Sequence, residues 1–287
     1  MSQQPLAYQF GEFLESAEAR PIRILSEYLE PLRRFREQKI QDTVVFFGSA
    51  RVDSRERAER ALATLRARGV RDATQKYEAE LTKSRKAVEW ARYYEEAREL
   101  AKLLTRWSLT LQSDHHRFVV TSGGGPGIME AANRGASEAG GKTIGLNIRL
   151  PFEQGANPYI TQGLHFEFHY FFMRKFWFAY LAKSLVIFPG GFGTCDELFE
   201  LLTLAQTDKL SKKIGVILYG REYWDRVFDF GPMVEWGAIA EEDVSLMHHA
   251  DTPAEAFELL RGHLVEHHLE SGIEQEAAAP GIAKTRG

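Results

Sequence analysis

The chain of 287 residues predicts an α/β fold, a Rossmann-like doubly wound parallel sheet with helices on both faces, plus an N-terminal helical extension and a helical insertion. Three observations predict it. Short runs rich in β-branched and aromatic residues, such as Thr43 to Phe47 and Leu185 to Phe188, alternate with longer runs of helical periodicity. Two of the short runs end in glycine clusters that open helices, Ser122-Gly123-Gly124-Gly125-Pro126-Gly127 and Pro189-Gly190-Gly191-Phe192-Gly193. An apolar content of 44% is ample for a core of this size.

In chain order, residues 1–41 form the extension. Within it Leu25, Tyr28, Leu29, Leu32 and Phe35 share one helical face between Ile22 and Arg36, and Pro31 is expected to kink that helix or mark its start. The Rossmann-like domain spans 42–269 and opens with the strand Thr43 to Phe47. An insertion at 54–114 follows. Its stretch from Arg55 to Leu111 is rich in Arg, Glu, Ala and Leu with few breakers beyond Gly69, and reads as a helical hairpin whose charges are solvated faces. Next come a strand at Arg117 to Thr121, a helix from Ile128 to Ala139, a strand at Thr143 to Ile148, a helix from about His169 to Ala182, and the strand Leu185 to Phe188. The second glycine cluster opens a helix at about Thr194, with Asp196 and Glu197 expected in its first turn. A strand at Ile214 to Tyr219, a helix from about Tyr223, a strand-like stretch at Val244 to His248 and a helix from Pro253 to His267 complete the domain. Residues 270–287, with Ala277-Ala278-Ala279-Pro280-Gly281, read as a disordered tail.

The glycine turns carry the chemistry. Glycines let the backbone approach a ligand closely, and free amides at a helix start, aided by the helix dipole and a Thr hydroxyl, bind an oxyanion. A lone cluster of this kind is as readily a tight turn between strand and helix. Two clusters, one of them followed by acids, point to a ligand site. Acidic side chains there lie beside whatever the phosphate carries.

Other function classes are excluded or disfavoured. A dinucleotide fingerprint should follow the first strand, where Gly48-Ser49-Ala50-Arg51 has no further glycines. Gly141-Lys142-Thr143 is not the end of a Walker A loop, because Ala136 stands where its first glycine must be and Lys142 leads into a strand. A formal charge of −4, from 36 basic and 40 acidic residues, leaves no footprint for nucleic acid. His165, Glu167 and His169 alternate as strand neighbours could, but no cysteine or second acidic cluster completes a metal site, so no metal is expected. The one cysteine, Cys195, excludes a disulfide framework and is expected to be a small packing residue rather than a nucleophile. With no long apolar span, a reducing cytoplasm is the expected home, with no membrane association.

Pro189-Gly190-Gly191-Phe192-Gly193-Thr194-Cys195-Asp196-Glu197 resembles the PGGxGTxxE signature of the LOG family, phosphoribohydrolases that release free cytokinins from their nucleotides and long carried the label lysine decarboxylase. Met173-Arg174-Lys175 resembles the Arg-Lys pair on the helix before that strand. Ser122 to Gly127 with Met129-Glu130-Ala131-Ala132-Asn133 resembles its glycine-rich loop, and Gly48-Ser49 matches the turn after its first strand. The resemblance covers Thr43 to Thr252. The long insertion and the stretch from Leu150 to Tyr159 look like the longer bacterial branch, in which a general nucleoside monophosphate nucleosidase is implied as readily as a cytokinin enzyme.

The resemblance implies hydrolysis of a nucleoside 5′-monophosphate, such as AMP or a cytokinin riboside monophosphate, to free base and ribose 5-phosphate, with no cofactor. Cleaving the N-glycosidic bond develops positive charge on the sugar, which a carboxylate beneath the ring stabilises while it orients or deprotonates water. Glu197 is the candidate, with Arg174 as its catalytic partner. Gly190, Gly191, Gly193 and Thr194 are expected to hold the phosphate and Gly124, Gly125 and Gly127 to line the opposite wall, with Lys175, Ser49, Asp196, Thr203 and Glu153 as further contacts. The alternatives are a non-catalytic nucleotide-binding or sensing protein on the same fold, or a pyridoxal phosphate decarboxylase, which needs a Schiff-base lysine. The aromatics Phe171, Phe172, Phe176, Trp177 and Tyr180 exceed what one helix face can bury in a monomer, and the family implies at least a homodimer.

Overall fold

A computed structural model describes residues 5–68, 75–150, 155–207 and 212–269. Seven strands form one parallel sheet: β1 (Thr43–Phe47), β2 (Val119–Ser122), β3 (Thr143–Ile148), β4 (His165–Phe168), β5 (Ala182–Ile187), β6 (Gly215–Tyr219) and β7 (Met247–Ala250). They lie in the order β4-β3-β2-β1-β5-β6-β7. From β1 the chain steps outward to β4, then returns to the far side of β1 as β5 and steps outward again. The reversal lies between β1 and β5, where an open α/β sheet leaves a crevice outside the strand carboxyl ends.

Period-two alternation sends the side chains of each strand to opposite faces. Val45, Phe47, Leu185, Ile187, Val216 and Leu218 pack on one side. Val44, Phe46, Val186, Phe188, Ile217 and Tyr219 pack on the other. The first face is covered by α2 (Arg20–Glu37), α6 (Phe171–Leu181), α7 (Phe192–Gln206) and α8 (Arg221–Val227), through Phe35, Trp177, Phe178, Leu198, Leu201 and Trp224. The second is covered by α4 (Gln75–Ser108), α5 (Ile128–Glu138) and α11 (Pro253–His268). Short elements α1 (Gly11–Glu15), α3 (Arg55–Ala67), α9 (Gly231–Glu235) and α10 (Glu241–Val244) complete the set.

The insertion forms helices, as its composition predicts. Tyr94, Ala97, Ala101 and Leu104 of α4 recur at helical spacing and are buried against α5 and the sheet, so a helix with few intrinsic breakers also gains tertiary contacts. The N-terminal extension is equally integrated. The Glu27 carboxylate accepts hydrogen bonds from the amides of His169 (2.7 Å) and Tyr170 (3.2 Å), just ahead of α6. The Trp177 indole donates to the Glu27 carbonyl at 2.9 Å.

Several boundaries differ from the sequence reading. Pro31 neither starts nor ends α2; it is buried inside the helix, and the proline at the helix start is Pro21. Residues His165 to Phe168 form edge strand β4, with Phe166 and Phe168 buried and His165 and Glu167 exposed, so the following helix begins at Phe171 rather than His169. α7 begins at Phe192, which puts Asp196 and Glu197 in its second turn. The last strand is Met247–Ala250; Val244 instead ends α10, where the Asp243 carboxylate accepts from the Ala240 amide. Gly69 and the 270–287 tail lie outside the described residues. Among the described residues no helix is long and apolar enough to cross a membrane.

Candidate functional site

The site is built on the carboxyl ends of β1, β2 and β5. Ser49, just after β1, joins the two glycine turns with its backbone alone. Its amide donates to the Pro189 carbonyl (3.0 Å) and its carbonyl accepts from the Ile128 amide (3.1 Å), which opens α5. The approach is so close that a Cβ on Gly127 would lie 2.3 Å from the Ser49 carbonyl oxygen. Glycine is required at Gly124 as well, since its φ of +74° is left-handed and a Cβ would lie 1.9 Å from Asn147 Oδ1.

A buried polar network fixes the first turn from below. The Asn157 side chain donates to the carbonyls of Gly124 and Gly125 (both 3.1 Å) and to Asn133 Oδ1 (2.9 Å). Ser122 Oγ donates to Asn133 Oδ1 at 2.7 Å, and the Gly124 amide donates to Ser122 Oγ at 3.0 Å. The Gly124 and Gly125 carbonyls are thus held from beneath, as a rigid wall requires.

The second turn caps α7. Gly191 is its N-cap, and Thr194 is buried with its hydroxyl against Gly190, where a Cβ would lie 2.1 Å from Thr194 Oγ1. At the helix start the amides of Phe192 and Gly193 have no acceptor among the described residues, as the first turn of a helix leaves them. Three residues after Thr194, on the same helix face, stands Glu197, 3% exposed. Arg174 on α6 donates from Nη2 to Glu197 Oε1 at 3.1 Å. Burial pushes the Glu197 carboxyl up to about 7, against Arg174 and Lys175, which act to lower it. Burial also lowers Arg174 below the usual guanidinium value, though Glu197 and Asp196 oppose it. Arg174 Nε is buried and has no partner among the described residues. The arrangement joins free amides at a helix start to a carboxyl that exchanges its proton near neutral pH.

The structure therefore brings together Glu197, Arg174, Thr194, Gly190 and Gly191, with Ser49 linking them to Gly124, Gly125 and Gly127. Lys175 is adjacent but occupied, with Nζ 2.9 Å from both Asp196 and Glu200. Burial acts to lower its ammonium, yet those two hydrogen bonds outweigh that and hold it above its ordinary value. Gly193 and Asp196 are exposed. Thr203 is exposed further along α7 and donates back to the Phe199 carbonyl at 2.7 Å. Glu153 lies outside the described residues. Cys195 is half-buried and packs against the core, and burial pushes its thiol up, away from thiolate chemistry. Among the described residues no three His, Cys, Asp or Glu side chains gather as metal ligands would, and Glu167 pairs with Arg149 at 3.1 Å.

Two residues at the site were missed by the sequence reading. Asn147, at the end of β3, is buried with an unpartnered Oδ1 beside Gly124, and its one signal is a polar residue between Leu146 and Ile148. Tyr223, seen in the sequence only as a helix start, donates its hydroxyl to the Gly190 carbonyl at 2.7 Å.

A family model described as "Possible lysine decarboxylase" matches residues 129–260, a span that holds Arg174, the second glycine turn and Glu197. The cytokinin riboside 5′-monophosphate phosphoribohydrolase LOG of Oryza sativa subsp. japonica is 28% identical over 186 residues, covering 62% of this chain and 70% of that protein. Along this span the chain is similar to the LOG family. A second LOG relative, LOG6 of Arabidopsis thaliana, named as a probable enzyme of the same activity, is 27% identical over 177 residues, covering 62% of this chain and 84% of that protein. Among solved structures, the molybdenum cofactor carrier protein of Chlamydomonas reinhardtii is similar at 20% identity and a TM-score of 0.44, over 79% of this chain and 99% of that one.

Proposed function

We propose that this chain belongs to the LOG family and hydrolyses the N-glycosidic bond of a nucleoside 5′-monophosphate, AMP or a cytokinin riboside monophosphate, to the free base and ribose 5-phosphate. The observation that carries the reading is the buried Glu197–Arg174 pair in the second turn of a helix with a glycine-lined start. The α7 amides and Thr194 take the phosphate, which sets the ribose over the adjacent carboxylate. As the glycosidic bond breaks, positive charge grows on the sugar, and ionised Glu197 stabilises it and orients or accepts a proton from the attacking water. Arg174 holds the carboxylate in place and offers its remaining donors to the substrate. Pyridoxal phosphate chemistry is less well supported, because Lys175, the lysine beside this pair, is held charged by Asp196 and Glu200 rather than free to form a Schiff base.

The working unit in this reading is a homodimer or higher homo-oligomer. Phe172 on α6 is 50% exposed and shares a groove with Leu25 of α2, itself 54% exposed. The apolar groove between these helices is about 670 Å³ and includes Tyr28, Phe172, Met173 and Phe176. A continuous apolar surface of this kind suits a second copy.

The test is incubation of the purified protein with a panel of nucleoside monophosphates and the matching nucleosides, followed by chromatography. Free base and ribose 5-phosphate are expected from at least one monophosphate, and adenosine is expected to be a far poorer substrate than AMP. Equal specificity constants for AMP and adenosine overturn the phosphate assignment. Binding of AMP with no cleavage of any monophosphate makes the protein a nucleotide sensor instead.

A further inference from the structure

A peptide group in the trans form points its C=O and its N–H in opposite directions. A loop that offers amides to an anion must therefore turn its carbonyls away, and each carbonyl so turned needs a donor behind it. In the Pro189-Gly190-Gly191 turn both carbonyls have one. The Pro189 carbonyl accepts from the Ser49 amide at 3.0 Å. The Gly190 carbonyl accepts from the Tyr223 hydroxyl at 2.7 Å. These bonds fix the peptide planes that carry the Gly190 and Gly191 amides, neither of which has an acceptor among the described residues.

Tyr223 is itself held by the helical insertion. Trp90 of α4 meets its ring edge-on, with centroids 5.6 Å apart and planes at 90°. One turn further along α4, Tyr93 packs on Gly220, the residue that caps α8; at Gly220 φ is +86° and a Cβ would lie 2.9 Å from Tyr93 Cε1. The Tyr223 amide in turn donates to the Gly220 carbonyl at 3.0 Å. A chain of contacts thus runs from α4 through Trp90 and Tyr223 to the back of the anion loop.

We infer that Tyr223 is a positioning residue for the phosphate loop, holding the Gly190 carbonyl so that the Gly191 amide faces the substrate phosphate, and that Trp90 of the insertion fixes its ring for that task. This rests on the reading of the Gly190–Thr194 turn as a phosphate site. The hydroxyl makes no contact with substrate; it acts through the backbone. Losing it frees one peptide plane and leaves one carbonyl without its donor, a perturbation the size of a single hydrogen bond.

The test is calorimetry on the full chain with ribose 5-phosphate, inorganic phosphate and adenosine as probes. Tyr223→Phe is expected to weaken ribose 5-phosphate and phosphate binding by about three- to tenfold, with adenosine affinity unmoved. Trp90→Ala is expected to weaken the same two probes, and Trp90→Phe, which keeps an aromatic edge, to restore much of the loss. Should Tyr223→Phe fold poorly, the Trp90 pair decides. The inference is overturned if Tyr223→Phe binds ribose 5-phosphate as the parent does, or if adenosine weakens in step, which marks a general structural effect. If the parent binds neither ribose 5-phosphate nor phosphate, the phosphate site itself falls and Tyr223 with it, an outcome distinct from a parent that binds and a variant that matches it.

Discussion

Glu197 permits a pH experiment whose sign and size come from its surroundings. Only the ionised carboxylate can stabilise a cationic sugar, and burial pushes this carboxyl up to about 7 despite Arg174 at 3.1 Å. On the proposed mechanism, activity is expected above that value and is lost as pH falls through it. With a midpoint of about 7, roughly a tenth of the enzyme carries the carboxylate at pH 6 and about nine-tenths at pH 8, so kcat/KM should rise by on the order of tenfold between them. The quantity to follow is kcat/KM for AMP, which reports the free enzyme's groups, with the substrate phosphate's own ionisation near pH 6 divided out. Glu197→Gln keeps the shape and removes both charge and titration. Its turnover should fall by on the order of a hundredfold or more, as for other preorganised electrostatic groups, and its kcat/KM, corrected in the same way, should be flat over the same range. AMP binding should persist, since the phosphate loop is untouched and the carboxylate acts mainly in the transition state. A parental kcat/KM that, so corrected, does not change from pH 6 to pH 8, or a Gln variant that turns over at the parental rate, refutes the reasoning.

Gly124→Ala places a Cβ 1.9 Å from Asn147 Oδ1 at a φ of +74°, and should cost roughly 1–3 kcal/mol of stability along with a raised KM for AMP; a melting curve that overlays the parent's would count against the close approach described above. Light scattering at micromolar concentration is expected to give at least a dimer mass, and Phe172→Glu, in the middle of the exposed α2–α6 face, should shift it toward the monomer, whereas a parent that is already monomeric removes the proposed interface.

What could be read from the sequence was whatever chemistry forces on a short window. Pro189 to Glu197 is legible because glycines at a strand end, a helix start and an acid fall within nine residues, and only a few residue types satisfy each position. The Arg174–Glu197 contact was available only through resemblance, since it depends on α6 and α7 being set side by side by β5 between them. Tyr223 left no local trace at all, as its role arises from a backbone carbonyl on another element. Edge strand β4 shows the right alternation, His165 and Glu167 out and Phe166 and Phe168 in, but four residues abutting an aromatic helix are too few to separate strand from helix start by period. The error at Val244 has a similar cause: a short apolar run is ambiguous, and the Asp243 side chain, which accepts from the Ala240 amide and from Gln206, tips it into a helical turn.

The strand order also governs how the chain comes together as it is made. β1 is central in the finished sheet, yet Phe47 finds its β5 partner only when Ile187 has been synthesised. At ordinary translation rates that wait is roughly ten to thirty seconds. Throughout it, one side of Thr43–Phe47, an apolar and β-branched segment, is an open edge able to pair with another nascent chain. A chain truncated before Ala182 keeps that edge permanently, so premature termination yields an aggregating fragment rather than a smaller folded one. The glycine turn after β2 can form early in such a fragment, whereas Glu197 lies beyond the strand that closes the edge, and the growing chain cannot acquire the Glu197 carboxylate before it has the means to protect its central strand.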